Sequence, residues 1–282
     1  MVNTVAVIGA GTMGCDIALD LATYNLNVIL KDVSNEALLQ SKEKIKSNLR
    51  MYKMLKKEMK DITSEMIFSK IVFQDTYLSF QDVDLIIENI PEDWEMKKAV
   101  YGELKTVCRD NTYFAVNTSC ISITKIAALL PSPENVIGMH FMNPVPLKTM
   151  VEVVRGYHTS PETETLLTEW LKLIGKQPVV VNDFPGFVAN RLSHLFMNEA
   201  AFLIQDGVAS PKEVDLIFKH GYGHKMGPLE TADLIGLDTV IKSLEVLYEN
   251  YQDQKFRCCP LLKKMVDAGL LGKKSGRGFY TY

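Results

Sequence analysis

Cysteine is scarce in this chain: the five present, Cys15, Cys108, Cys120, Cys258 and Cys259, form no C-x-x-C pair and are odd in number. Such spacing offers neither a disulfide framework nor a metal cluster, and fits the reducing cytoplasm. Long apolar runs are missing too, since none approaches the roughly 20 residues that span a bilayer. The apolar N-terminal stretch VAVIGAGTMG has no basic segment ahead of it and meets Asp16 and Asp20 almost at once, so it does not read as an export signal. Without export, the glycosylation sequon Asn117-Thr118-Ser119 reads as a chance match. Nor is there a cationic excess: 31 Lys and Arg against 34 Asp and Glu give a formal net charge of -3 and a pI near 6.0. That balance leaves no electrostatic footprint for nucleic acid. Repeats and low-complexity tracts are also lacking, and the chain of 282 residues, 47% hydrophobic, can bury a core in one large domain or two smaller ones.

What the sequence does have is alternation. Short β-branched runs occur at 5–10, 27–32, 70–73, 84–90, 113–118, 135–141, 150–154 and 178–182. Helical patterns lie between most of them, such as 35–59 behind the N-cap candidate Ser34, and Glu92 to Cys108 with apolar Met96, Val100, Leu104 and Val107. This pattern predicts an α/β fold with an open, largely parallel, doubly wound sheet of the Rossmann type. After DFPGF (183–187) the β runs stop. Helical patterns follow at 188–207, 211–219, 236–251 and 260–268, broken by Gly221, Gly223, Gly227-Pro228 and Gly269. The expected division is therefore 1–184 and a smaller all-α domain over 185–282.

The first strand runs into Gly9-Ala10-Gly11-Thr12-Met13-Gly14, a G-x-G-x-x-G that opens a helix. In that context the glycines allow a tight turn, close approach of backbone to a pyrophosphate and close helix packing. The helix N-terminus attracts the phosphates' negative charge. Asp32, eighteen residues after Gly14, ends the second strand, where a carboxylate accepts from ribose hydroxyls and repels a 2′-phosphate. NAD is thus expected over NADP, with Lys31 as a cation that could offset part of the repulsion. Asp16 is out of place: it adds negative charge in the first helical turn, near the expected phosphates.

Ligands of doubly wound sheets bind beyond the carboxyl ends of the strands. Glu92, Asn117-Thr118-Ser119 and His140 through Asn143 all fall at such ends. Within MVEVV, strand alternation puts Glu152 on the same face as Met150 and Val154. A carboxylate in that run needs a partner or a proton, and His140, twelve residues upstream, is a candidate partner. Each residue also has a plainer reading: a core histidine, an edge-strand acid, a turn hydroxyl at Ser119, an Asx-turn at Asn143.

With these residues in place, the sequence resembles the L-3-hydroxyacyl-CoA dehydrogenase family, and in length its single-chain 3-hydroxybutyryl-CoA members. The motifs GAGTMG, NTSCISIT, VIGMHFMNPVP, MVEVVRG, DFPGFVANR, MGPLETADLIGLD and GKKSGRGFY carry the resemblance, in order, from residue 9 to residue 280. The resemblance implies His140 as the catalytic base, Glu152 as the acid that orients it, and Ser119 and Asn190 as contacts to the reacting oxygen. It implies NAD contacts at Asp32, Glu92, Lys97, Asn143 and Lys274. It also implies a homodimer formed through the helical domain, and no metal. Larger family members join a hydratase to the same chain, for which this length leaves no room.

Some positions depart from the family pattern. Ser47 can be matched to a coenzyme A contact, but Lys53, Lys56 and Lys57 compete for the accompanying lysine. Asp16 and Pro91 stand where small or apolar residues are expected. These departures admit an alternative in which the acyl group rides on an acyl carrier protein, since both carriers present a thioester on a phosphopantetheine arm. A non-catalytic NAD-binding or structural role is a third reading. The presence of His140, Glu152, Ser119 and Asn190 argues against it.

Overall fold

The computed structural model describes residues 2–282. Clustering of contacts divides the chain into two compact units, Met1–Asp183 and Phe184–Tyr282. The first unit begins β1 (Thr4–Ile8), α1 (Thr12–Thr23), β2 (Asn27–Lys31), α2 (Asn35–Leu55), α3 (Ser64–Phe68) and β3 (Ile71–Gln74). It continues β4 (Leu85–Glu88), α4 (Trp94–Val107), β5 (Tyr113–Val116), α5 (Ile123–Ala127) and β6 (Val136–Phe141). It ends β7 (Met150–Arg155), α6 (Pro161–Leu173) and β8 (Gln177–Asn182).

The eight strands form one sheet in the order β3-β2-β1-β4-β5-β6-β7-β8. Because β2 and β4 flank β1, the strand order reverses there, which is the switch point where such sheets open a ligand crevice. Every pairing is parallel except β6 with β7, which is antiparallel. No crossover helix separates those two strands, so a short turn returns the chain directly beside itself.

Burial on both faces explains the continuous apolar runs of the central strands. On one face Val5, Val7, Leu85, Ile87, Met139 and Val153 share a core with Ile17 and Leu21 of α1 and Leu167 of α6. The alternate residues Ala6, Ile86 and Phe114 are buried on the other face, where α4 and α5 contribute Tyr101, Leu104, Ile123 and Ile126. Gly138 of β6 belongs to this face. A Cβ there would lie 2.7 Å from the Val154 Cβ and 2.8 Å from Ile123, so glycine lets β6, β7 and α5 close together.

The second unit holds α7 (Ala189–Gln205), α8 (Pro211–Leu216), α9 (Pro228–Ile235), α10 (Leu237–Tyr251) and α11 (Pro260–Asp267). Its core joins Met197, Ala201, Ala232, Val240, Leu244 and Leu262. The pair Gly227-Pro228, expected as a break, instead starts a helix. Proline at the first helical position lacks only an N–H that the helix would not have used, and buried Asp215 accepts from the next two, Leu229 N at 2.9 Å and Glu230 N at 2.8 Å.

Candidate active site

The antiparallel register of β6 and β7 sets His140 directly opposite Glu152. Both side chains project to the face that carries Gly138 and Val154, away from the core of Met139 and Val153. The imidazole Nδ1 lies 3.0 Å from Glu152 Oε2, and both residues are buried, at 8% and 3% exposure. An ionised Glu152 only accepts, so it selects the tautomer with the proton on Nδ1 and leaves the Nε2 lone pair free to take a proton. That Nε2 is 3.4 Å from Ser119 Oγ. The base, its orienting carboxylate and a hydroxyl thus meet at the carboxyl ends of β5 and β6.

Ser119 is held there by its loop. Oε1 of Glu92 accepts from Thr118 Oγ1 at 2.5 Å, Cys120 N at 2.8 Å, Ile121 N at 3.0 Å and Ser119 N at 3.2 Å. One carboxylate oxygen therefore gathers four donors of a single turn. Asn117 ties neighbouring strand ends together, its Nδ2 donating to Asn89 Oδ1 at 2.6 Å and its Oδ1 accepting from Phe141 N at 3.2 Å. Exposed Asn143 follows β6, and its peptide bond to Pro144 is cis.

A cavity of about 640 Å³ opens over the glycine loop, lined among others by Gly11, Thr12, Asp32, Tyr77, Asn89 and Glu103. Gly9 has φ +94°, and a Cβ there would meet the Asn89 carbonyl oxygen at 2.9 Å. A Cβ on Gly14 would run into the Gly9 carbonyl, whereas Gly11 has open space beside it. The loop thus presents bare backbone to the cavity, as close approach of a phosphate requires. Asp32 braces this loop: Oδ2 accepts from Ala10 N at 2.8 Å and Oδ1 from Ser34 N at 3.1 Å. Lys31 is buried with its Nζ 4.2 Å from the centroid of the Tyr77 ring, and burial pushes its pKa down. The donor set and the volume suit a dinucleotide.

Residues 4–184 match the model of the 3-hydroxyacyl-CoA dehydrogenase NAD binding domain, and residues 186–282 that of the 3-hydroxyacyl-CoA dehydrogenase C-terminal domain. The chain belongs to the 3-hydroxyacyl-CoA dehydrogenase family. Among its relatives, a probable 3-hydroxybutyryl-CoA dehydrogenase of Deinococcus radiodurans is 44% identical over 98% of this chain and 99% of that protein. One from Bacillus subtilis is 43% identical over 100% and 98%. The crystal structure of (S)-3-hydroxybutyryl-CoA dehydrogenase from Ralstonia eutropha superposes with a TM-score of 0.93, at 39% identity, covering 100% of this chain and 99% of the other. Membership in the family brings its NAD binding domain, and with it NAD as the cofactor.

Not every residue expected at the site of this family member faces the cavity. Lys97 has no exposure at all, and its Nζ donates to both carboxylate oxygens of equally buried Glu88 at 2.7 and 2.8 Å. It therefore differs from the expected cofactor contact. Its partner Glu88, unnoticed in the apolar run DLIIENI, also accepts from Ile90 N at 2.7 Å and so fixes the cavity wall from behind. Lys274 lies 2.5 Å from Asp238 Oδ1 within the second unit. Asn190 sits in the first turn of α7, in the same unit, its N–H bonded to Gly186 O at 3.1 Å. Ser47 is exposed on α2. The sequence reading also passed over Lys44, whose Nζ donates to Thr12 Oγ1 at 2.7 Å beside the glycine loop. Tyr77 and Glu103 likewise lie outside any motif, and only the folded chain brings them to the cavity.

Proposed function

We propose that this chain interconverts 3-hydroxyacyl and 3-oxoacyl thioesters of coenzyme A with NAD, acting on a short acyl group such as 3-hydroxybutyryl. The observation that carries the reading is the buried His140–Glu152 pair with Ser119 beside the imidazole Nε2, in the same unit as the dinucleotide cavity. Bound NAD supplies the hydride acceptor for oxidation and, when reduced, the donor for reduction. In oxidation His140 Nε2 takes the proton of the 3-hydroxyl as the C3–H bond gives up its hydride and the oxygen becomes a carbonyl. The proton then rests on the imidazolium, which the Glu152 carboxylate stabilises and keeps in orientation. Ser119 donates to the reacting oxygen and limits its freedom, so that C3 stays near attack geometry. Gly11, Thr12 and the N–H groups of the first turn of α1 would hold the pyrophosphate of NAD, and Asp32 would accept from the adenosine ribose.

The relatives' names specify CoA thioesters, which gives the acyl carrier protein alternative no support. No disulfide joins the five cysteines, which suits a reducing cytoplasm, and no helix among the described residues is long and apolar enough to cross a membrane. A homodimer follows from the family resemblance, and light scattering on the purified protein tests it. The decisive experiment follows NADH consumption with acetoacetyl-CoA and with acetoacetyl acyl carrier protein. Turnover on the CoA ester is expected, and turnover on the carrier protein alone would refute the assignment. Asn190→Ala in the same assay tests the expected second contact to the reacting oxygen.

A further inference from the structure

Helix α1, which begins with the dinucleotide loop, is buried along nearly its whole length yet carries two acids, Asp16 at 1% and Asp20 at 2% exposure. Neither lies on a solvated face, so each must be answered by donors inside the protein. Asp16 Oδ1 accepts from Asn48 Nδ2 and Oδ2 from Tyr52 OH, both at 2.7 Å. The backbone of Val145 lies beside the same carboxylate, and with Asn48 and Tyr52 it partly offsets the upward push of burial on the Asp16 pKa. Asp20 Oδ2 pairs with buried Lys176 Nζ at 2.6 Å. That ammonium also donates to Val145 O at 2.7 Å and Lys148 O at 3.0 Å. Lys56 Nζ reaches Pro146 O at 3.0 Å.

These bonds converge on one segment. Residues 145–148 form the turn that joins the His140 strand to the Glu152 strand, directly after Asn143. With Val145 and Pro146 buried, the Pro146 carbonyl takes its partner from a side chain, and the Val145 carbonyl adds Lys176 to the bond it accepts from Lys148 N. Asp20 of α1 holds Lys176, and α1, whose N-terminus opens on the dinucleotide cavity, packs directly against the turn. We propose that Asp16 and Asp20 are positioning residues that join α1 to the catalytic turn, so that a cofactor seated on the glycine loop fixes where Asn143 and the His140–Glu152 hairpin stand. This inference rests on the NAD site and the catalytic pair described above. It also gives the misplaced acid of the first helical turn a role: Asp16 faces inward, its charge answered by Asn48 and Tyr52 with the Val145 backbone beside them.

The donor count makes the proposal sharp. Asp16→Asn replaces one acceptor oxygen by an NH2 group that confronts existing donors. Adding Asn48→Asp restores the balance, because the new amide can donate to residue 48 while its oxygen accepts from Tyr52. With acetoacetyl-CoA, Asp16→Asn should lower kcat per NADH-binding site by about tenfold or more, as small misplacements do, while NADH affinity holds; the double variant should recover most of the loss. A merely structural role would reduce the number of NADH-binding sites and leave kcat per site unchanged. That result, or no rescue by the double variant, overturns the proposal. Should Asp16→Asn fail to fold, Tyr52→Phe removes one donor only and should show a smaller fall in kcat per site; wild-type turnover per site refutes the idea. Amide exchange supplies a readout without activity. NADH should slow exchange at residues 145–148 in the wild type and not in Asp16→Asn, and equal slowing in both would sink the coupling. Wild-type protein inactive on acetoacetyl-CoA would instead sink the substrate assignment and leave the exchange test standing.

Discussion

Replacing Glu152 by glutamine keeps the side chain's shape and removes only its charge. At the observed 3.0 Å between Nδ1 and Oε2, the charge centres of an imidazolium and this carboxylate are about 4 Å apart, where unit charges attract by about 4 kcal/mol at an effective dielectric near 20. A glutamine oxygen retains a neutral hydrogen bond, so part of this survives; the loss of a charge-assisted bond alone is worth about 1.5–3 kcal/mol. A deficit of about 2–4 kcal/mol in the step that forms the imidazolium corresponds to about 30- to 1000-fold in rate. The loss grows if the amide NH2 turns toward Nδ1, because the proton then moves to Nε2 and the base is blocked. Single-turnover oxidation of 3-hydroxybutyryl-CoA with saturating NAD measures this step, and NADH fluorescence titration confirms an intact cofactor site. A rate within about threefold of wild type, under 1 kcal/mol of barrier, would refute the pair as the catalytic unit.

Three further outcomes are expected. Lys97→Met leaves Glu88 buried without its cation and should cost about 3–5 kcal/mol in urea unfolding; pairing it with Glu88→Leu should return most of that stability, which a cofactor-binding lysine would not do. Glu92→Ala removes the acceptor for the Ser119 loop and should lower kcat/KM for the thioester by about one order of magnitude, about 1.4 kcal/mol, with the unfolding midpoint little changed. Asp32→Ser should weaken NAD binding and narrow its preference over NADP, read as the ratio of kcat/KM for the two cofactors.

Much of this molecule was readable before folding because its signals are local. Alternating apolar runs disclose the doubly wound sheet, and the glycine spacing with Asp32 discloses the cofactor loop. The pairing of His140 with Glu152 is suggested by a carboxylate in an apolar run twelve positions after a histidine, and more by the family resemblance, but facing depends on antiparallel register, which spacing alone leaves open. Lys97 shows where such reading stops: a flexible lysine stem can turn toward a ligand or toward a carboxylate, and only the burial of Glu88 decides. The start of α9 was obscured for another reason. Gly-Pro ends helices and begins them, and the choice hangs on Asp215, twelve residues before Gly227 in sequence, waiting to accept from the new helix.

Because His140 and Glu152 meet through strand register, the length of the segment between them is itself a catalytic parameter. Side chains alternate with a period of two, so any change in this segment that slips β7 by one residue against β6 turns Glu152 to the opposite face and breaks the pair. Point substitutions at the exposed positions of this segment leave that parity untouched. Directed-evolution libraries can therefore vary the exposed side chains of Lys148 and Thr149, but must keep β7 in step with β6.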